Sequence, residues 1–210
     1  MKKYLVELIG AFFLAFTFVM ASNNSASAMA PLAVGGILIA LHVVGGPISG
    51  GHYNPLVTLA LLMRGKTDRT DAIYYILFQM VGALFAAFAA VFLLQCKGAI
   101  EIRPIQHDVT CSTLAEFLGA FVFVYVVLNV TAHREHSNAT LAIGFAAMAM
   151  MYVLGPISGG AFNPAIAVSI SASGMASWGE WWIYWVGGLL GSAAAATVFG
   201  AIVSPPPPHP

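Results

Sequence analysis

A nine-residue stretch that occurs twice constrains this chain more than any other feature. Residues 47–55 read Pro-Ile-Ser-Gly-Gly-His-Tyr-Asn-Pro, and residues 156–164 read Pro-Ile-Ser-Gly-Gly-Ala-Phe-Asn-Pro. The match continues at the same offset of 109 positions, without a gap, from Glu7 to Ala87, so that Glu7 pairs with Glu116. A self-match of this length indicates an internal duplication.

Each copy ends in a signal for the start of a helix. Asparagine is a favoured N-cap residue, and proline is favoured at the first helical position. The apolar segments behind Asn54 and Asn163 are short, and about ten residues of helix span roughly 15 Å of a hydrocarbon core of about 30 Å. Two half-helices at corresponding positions of two repeats predict a transport site near the bilayer midplane.

The composition indicates a membrane protein. Hydrophobic residues make up 60% of the chain and charged residues only 8%, unlike a soluble domain, and the net charge of zero gives no reason to expect a nucleic-acid partner. Apolar runs predict six spans, at about residues 4–22, 30–46, 71–94, 112–132, 138–155 and 178–203. The predicted fold is an all-α membrane protein with six transmembrane helices and two re-entrant half-helices.

The duplication predicts how the halves are arranged. The two repeats, residues 4–94 and 112–203, form one domain over residues 1–203, and the proline-rich tail, residues 204–210, is predicted to be disordered. Because each repeat has an odd number of spans, the second repeat is inverted in the bilayer relative to the first. The two half-helices therefore enter from opposite faces and meet tip to tip.

Lysine and arginine residues predict the orientation. Six fall on one side, namely Lys2, Lys3, Arg64, Lys66, Arg69 and Arg134, and two on the other, Lys97 and Arg103. Since cytoplasmic loops carry more positive charge, both termini are predicted to be cytoplasmic, in a plasma or inner membrane. The N-terminal run also fits a signal peptide, but the pairing of Glu7 with Glu116 places it inside the fold.

Two pairs of possible ligand residues lie in the loops. Cys96 and Cys111 fall in the loop predicted to be external, where we expect free thiols, with a disulfide as the alternative in an oxidising space. His133 and His136 lie in a short cytoplasmic loop, where a solvated loop is favoured over a metal site. No metal or cofactor is predicted.

The motifs resemble those of the aquaporins and glycerol facilitators, the major intrinsic proteins. The resemblance runs from Glu7 to about Val203, and its carriers are Asn54-Pro55-Leu56, Asn163-Pro164-Ala165, the two Ser-Gly-Gly loops, Glu7-x-x-Gly10 and Glu116-x-x-Gly119. The first motif departs from the family pattern, which has Ala at its third position. The resemblance implies a channel in the lipid bilayer, not an enzyme, assembled as a homotetramer with one pore in each subunit.

The centre of the implied pore lies at Asn54 and Asn163, whose amide groups would donate to a passing solute while two helix dipoles disfavour cations. Residues 47–53 and 156–162 are predicted to be irregular backbone that lines the pore, since such backbone is tolerated at membrane depth only beside a cavity or inside protein. The predicted wall residues are Ser49, Gly50, Gly51, His52, Ser158 and Gly159. By resemblance, Glu7 and Glu116 support these loops through buried hydrogen bonds, which we favour over a proton relay.

The outer filter departs most from the family pattern. Arg usually follows the second Asn-Pro-Ala directly, and this position is Ile166 here. Counting as in the family gives a filter of Val34, Met151, Gly160 and Ile166, with neither a charge nor an aromatic ring. We expect a filter that is wider and more apolar than that of a strict water channel, without a fixed cation as a barrier. The Asp that glycerol facilitators carry is replaced by Ala167.

The inversion extends the prediction to the cytoplasmic end of the pore. The offset maps the filter onto His42, Ile143, Gly51 and Val57, so these residues and His52 are predicted to line the inner half. A histidine satisfied between helices is the alternative for His42. If both histidines line the pore, permeability should change as the pH crosses roughly 6 to 7, and a flat profile would contradict this.

The first hypothesis for function is a passive channel for water and small neutral solutes, with ammonia, carbon dioxide, hydrogen peroxide and urea as candidates. The alternative is a structural or junction protein of the membrane whose pore is closed or vestigial, which Leu56 and the missing arginine allow. A transporter driven by protons through Glu7 or Glu116 is the third and least favoured hypothesis.

Overall fold

The computed structural model describes residues 1–23, 27–96, 102, 104–105, 108–132 and 138–203. The described residues form helices and turns without a strand, in the order α1 (Lys2–Ser22), α2 (Ala30–Ser49), α3 (Pro55–Met63), α4 (Arg69–Cys96), α5 (Val109–Ala132), α6 (Ala139–Ser158), α7 (Pro164–Ala172) and α8 (Trp181–Ile202). Short 3₁₀ turns, Ser27–Met29 and Trp178–Glu180, precede α2 and α8. Six helices, all except α3 and α7, are long and apolar enough to cross a membrane. The predicted architecture of six spans and two half-helices is confirmed.

Glycines at equivalent positions bring equivalent helices together. The most extensive packing joins α1 to α4 in the first repeat and α5 to α8 in the second. A methyl group on Gly82 would overlap the carbonyl oxygen of Leu8, and one on Gly191 would overlap that of Phe117. Small residues allow such close crossings between membrane helices. The duplication seen in the sequence is therefore also present in the helix contacts.

Each half-helix begins at a capping asparagine. Asn54 and Asn163 cap α3 and α7, each accepting a hydrogen bond on its side-chain oxygen from the backbone N–H two residues later, at 2.9 Å. Proline follows at the first helical position in both. Each half-helix has nine residues, which corresponds to roughly half of the hydrocarbon thickness.

The structure corrects the boundaries of the predicted irregular loops. Residues 47–49 and 156–158 belong to α2 and α6, so only residues 50–53 and 159–162 are irregular. Both helices continue past their internal proline for a last turn, which ends at Gly50 and Gly159 with φ of 89°. Only glycine adopts this left-handed conformation without cost, so the glycines, and not the prolines, end the helices.

Candidate functional site

The two half-helix tips are joined by their asparagines. The Nδ2 atom of Asn54 donates a hydrogen bond to the carbonyl oxygen of Phe162 at 2.9 Å, and Nδ2 of Asn163 donates to that of Tyr53 at 3.0 Å. An asparagine amide has two N–H donors, so each retains one. The positive ends of two helix dipoles and two amide donors thus converge where α3 and α7 meet.

The residues that supply these carbonyls have an unusual backbone conformation. Tyr53 has a φ of 48° and Phe162 a φ of 45°, and non-glycine residues rarely adopt positive φ values. The Tyr53 ring packs where Gly10 has no side chain, and the Phe162 ring does the same at Gly119. The Tyr53 hydroxyl also donates to the Leu41 carbonyl oxygen at 2.9 Å. The packing of the two rings therefore stabilises the positive φ of Tyr53 and Phe162, which directs each carbonyl oxygen toward the asparagine of the other repeat.

Glu7 holds the first loop from inside α1. It is fully buried, and its Oε1 atom accepts hydrogen bonds from the Ser49 hydroxyl at 2.6 Å and the His52 N–H at 3.0 Å. Its Oε2 atom accepts from the Tyr53 N–H and from Nε2 of Gln79, both at 2.7 Å. Four donors of this kind compensate a buried carboxylate for the loss of water.

Glu116 repeats this arrangement in the second half with one donor fewer. The Ser158 hydroxyl donates to its Oε1 atom at 2.6 Å, as does the Ala161 N–H at 3.2 Å, and the Phe162 N–H donates to Oε2 at 2.7 Å. The position equivalent to Gln79 is Gly188, which has no side chain to donate. The geometry matches the loop support that the resemblance implies for both glutamates.

Ser49 and Ser158, predicted as wall residues, form hydrogen bonds at the ends of two helices. Both are buried at the C-terminal ends of α2 and α6, where their hydroxyls donate to the glutamates. The hydroxyl of each also accepts the N–H two residues on, from Gly51 and from Gly160, at 3.1 Å. These hydroxyls therefore tie the helix ends to the loops.

A narrow cavity of about 30 Å³ lies at the asparagines and on one side of them. All four residues of the predicted filter line it, namely Val34, Met151, Gly160 and Ile166, together with Asn54 and Asn163. Its other lining residues are Leu14, Leu38, Phe123, Ala147, Ala161 and Phe162. Every one of the residues found to line it is uncharged, so this constriction is apolar apart from the asparagines and the backbone.

A larger cavity of about 470 Å³ adjoins the narrow one at Met151. Side chains from the ends of several helices line it, most of them apolar, with Ser22, Ser27 and Tyr152 as the polar ones, and Gly159 is the one predicted wall residue among them. Part of its wall comes from the segment before α5, where the N–H of Ile105 donates to the carbonyl oxygen of Met175 at 2.8 Å. The shape is that of a wide vestibule that leads to a constriction.

The predicted residues of the inner half are buried around the first loop. His42 and His52 are each 7% exposed, and the ring of His42 lies edge-on to that of Tyr53, with 5.4 Å between the ring centres. Val57 and Ile143 lie in the apolar core, and neither lines the two cavities described above. The positive φ values of Gly50 and Gly51 shape the loop that passes the histidines.

The described side chains near the ends of the spans add no metal or cofactor ligands. Within the described residues, no three His, Cys, Asp or Glu side chains group as metal ligands, and Cys96 and Cys111 are exposed free thiols. Asp108 precedes α5, and the N–H of Cys111 holds the pKa of its carboxyl below the usual range. Other predicted features lie outside the described residues: Lys97, Arg103, His133, Arg134, His136 and the tail 204–210.

Six spans and two half-helices joined at their tips beside an apolar constriction define a membrane channel architecture. The family model described as "Major intrinsic protein" matches residues 1–199. The chain therefore belongs to the major intrinsic protein family, whose members are channels and not enzymes.

Individual relatives agree with this assignment. The chain is 35% identical to a protein named glycerol uptake facilitator protein-like 6 of Lactiplantibacillus plantarum, over 93% of this chain and 95% of that one. It is also 35% identical to the probable aquaporin TIP3-2 of Arabidopsis thaliana, over 77% of this chain, and it spans 63% of that relative's length. The solved aquaglyceroporin of Plasmodium falciparum has the same fold, with a TM-score of 0.80 over 95% of both chains at 19% identity.

Proposed function

We propose that this protein is a passive pore for water and small neutral solutes. The observation that carries the proposal is the junction of α3 and α7, where Asn54 and Asn163 hold the opposite loop and each keep one N–H beside the narrow cavity. A solute that accepts a hydrogen bond gains from these donors, and a cation meets two positive helix ends. The names of the relatives, glycerol uptake facilitator-like and aquaporin, support water and glycerol as the solute class.

The apolar constriction extends the proposal to the choice of solute. A solute that enters the constriction gives up water and finds few polar partners, because Val34, Met151 and Ile166 are apolar. Molecules with a small free-energy cost of dehydration should therefore pass best. Ammonia, carbon dioxide and hydrogen peroxide meet this condition better than urea. Exclusion of protons and cations would then rest on the two half-helix ends, since no arginine lies at position 166.

Osmotic swelling and shrinkage of proteoliposomes, followed by light scattering, tests the proposal. Vesicles that contain the parent protein should have a higher permeability than empty vesicles to water and to at least one small neutral solute. The variant Ile166→Arg should narrow the range of solutes, because it adds a charge and bulk to the constriction. Ile166→Val is the matched control, since it keeps the site apolar. If Ile166→Arg conducts the same set of solutes as the parent, the filter lies elsewhere in the pore.

The competing hypothesis is a structural membrane protein with a closed pore, and one observation favours it. A cavity of about 30 Å³ has room for little more than one water molecule. Failure of the parent to conduct any of the solutes faster than empty vesicles would support the closed pore. Proton coupling through Glu7 is disfavoured because both of its oxygens already accept from protein donors, and solute flux that depends on a proton gradient would revive it.

We also propose that the protein assembles as a homotetramer with one pore per subunit, with both termini in the cytoplasm. Large apolar side chains are exposed along the outer faces of the spans, and lipid or neighbouring subunits can cover them. Chemical cross-linking in the membrane should yield species up to four chains, and a ladder that stops at one chain would contradict the assembly.

A further inference from the structure

A residue from outside both predicted repeats packs on the irregular loop 159–162 of the second repeat. Ile105 lies in the segment between α4 and α5, and it is one of the residues that line the vestibule. A methyl group on Gly159 would lie only 2.7 Å from the Cδ1 atom of Ile105. The absence of a side chain at Gly159 therefore leaves the space that the tip of the isoleucine occupies.

The backbone of Ile105 is held in place as well as its side chain. Its N–H donates to the carbonyl oxygen of Met175, just after α7, at 2.8 Å. Met175 is 2% exposed, and its sulfur accepts a hydrogen bond from Nδ2 of Asn23, at the end of α1, at 3.3 Å. Ile105 is thus bonded to the turn after α7 and packed on the loop before it, and it forms a fixed part of the vestibule wall.

The first repeat has no equivalent of this contact. The residue that corresponds to Gly159 is Gly50, and both end a helix with a φ of 89°. Among the described residues, the side-chain atoms within 4 Å of a methyl group on Gly50 belong to His52, which lies in the same loop. An apolar side chain from outside the loop therefore covers the second loop only.

Ile105 also lies close to the constriction. Gly159 is followed by Gly160, which lines the narrow cavity, and consecutive Cα atoms are about 3.8 Å apart. A methyl group on Gly160 would lie 3.2 Å from the Cγ atom of Met151, the residue that lines both cavities. A solute that moves from the vestibule into the constriction therefore leaves Ile105 one loop residue before the pathway narrows.

The length of a solute decides whether it still touches Ile105 at the constriction. The narrow cavity of about 30 Å³ has room for little more than one water molecule, so water fits inside it and beyond Ile105. A three-carbon polyol such as glycerol is longer, and its trailing hydroxyl remains in the vestibule while its leading hydroxyl is inside the narrow cavity. The side chain of Ile105 offers that trailing hydroxyl no hydrogen-bond partner, and a hydroxyl that leaves water without a new partner costs free energy.

We propose that Ile105 is a specificity-determining residue that disfavours polyols relative to water. It acts one step before the four residues of the predicted filter, by placing an apolar surface where the trailing end of a long polar solute lies. This inference rests on the proposed function and deepens it, because it names the class of solute that the vestibule selects against.

Two substitutions of nearly equal shape test the inference. Ile105→Val keeps the position apolar, and Ile105→Thr differs from it only by a hydroxyl in place of a methyl group. Light scattering of proteoliposomes measures the permeability of each variant to glycerol and to water. The ratio of glycerol to water permeability should be about fivefold higher in Ile105→Thr than in Ile105→Val, which is the value of one net hydrogen bond.

Ile102 provides the matched control. It packs against the apolar core three residues earlier and lines neither cavity. Ile102→Thr should therefore leave the ratio of glycerol to water permeability at the value of the parent. Water permeability shows that each variant is folded and open, and if one of the Ile105 variants fails to conduct water, the pair Ile105→Ser and Ile105→Ala gives the same comparison.

The possible outcomes are distinct. Equal ratios in Ile105→Thr and Ile105→Val would show that Ile105 only anchors its segment, and they would overturn the inference. The inference is also wrong if Ile102→Thr raises the ratio as much as Ile105→Thr does, or if the variants conduct water but none conducts glycerol faster than empty vesicles. A parent with no water permeability above empty vesicles would instead refute the proposed function itself.

Discussion

The two buried glutamates show how a single residue difference separates the repeats. Glu7 and Glu116 occupy equivalent positions and hold equivalent loops, but only Glu7 accepts a hydrogen bond from a glutamine side chain. The Oε1 atom of Gln79 itself has no partner within the described residues. The first repeat therefore has a reserve acceptor next to its glutamate, and the second repeat has none.

This difference predicts unequal effects of the same substitution. Glu116→Gln turns an acceptor into an amide that faces the Phe162 N–H, and an unsatisfied buried donor costs about 1–3 kcal/mol. In Glu7→Gln, a half-turn of the Gln79 amide can bring its oxygen to the new N–H and limit the loss. Thermal denaturation in detergent should therefore show the larger decrease for Glu116→Gln. Equal decreases, or a larger one for Glu7→Gln, would contradict this account.

At the scale of helices, the leucine that departs from the family motif has a packing role. Leu56 is fully buried at the start of α3, and a methyl group on Gly188 of α8 would lie only 2.7 Å from its Cδ1 atom. The Ser192 hydroxyl also donates to its carbonyl oxygen at 2.9 Å. Leu56 lines neither cavity, so the larger residue fills the space over a glycine and leaves the constriction unchanged.

A double-mutant cycle tests this compensation. Leu56→Ala should reduce stability by about 2–5 kcal/mol because it leaves a cavity, with little effect on solute selectivity. Gly188→Ala alone should also destabilise, since its methyl group would crowd Leu56. The double variant should lose less than the sum of the two single variants. Additive losses in thermal denaturation would show that the two residues do not share this space.

At the scale of the whole molecule, the sequence was sufficient to predict the fold but not all of the residues that line the narrow cavity. The apolar runs predicted the six spans, and the repeated Asn-Pro pairs predicted the two half-helices and their capping asparagines. Lining residues such as Leu38 and Phe123 were missed because these helices are apolar on all sides, so no periodicity reveals which face meets the cavity. The roles of Ser49 and Ser158 were missed because the continuation of α2 and α6 past proline depends on the following glycine.

The orientation of the whole chain is open to a direct measurement. Cys96 and Cys111 are exposed at the ends of α4 and α5 that are predicted to be external. A membrane-impermeant maleimide should therefore label them on intact cells. In a cysteine-free variant, Lys66→Cys should react only after permeabilisation, because the predicted loop is cytoplasmic. The reverse labelling pattern would show that the chain has the opposite orientation in the bilayer.

The exchange of hydrogen bonds between the tips has a consequence for the origin of the protein. Each asparagine needs a carbonyl from the other repeat, so neither half could complete the junction alone. An ancestral pair of identical halves could have done so, but today two first repeats would press Leu56 against Gln79, and two second repeats would leave a void between Ala165 and Gly188. Sequence divergence has thus made each repeat complementary to the other repeat and not to a second copy of itself.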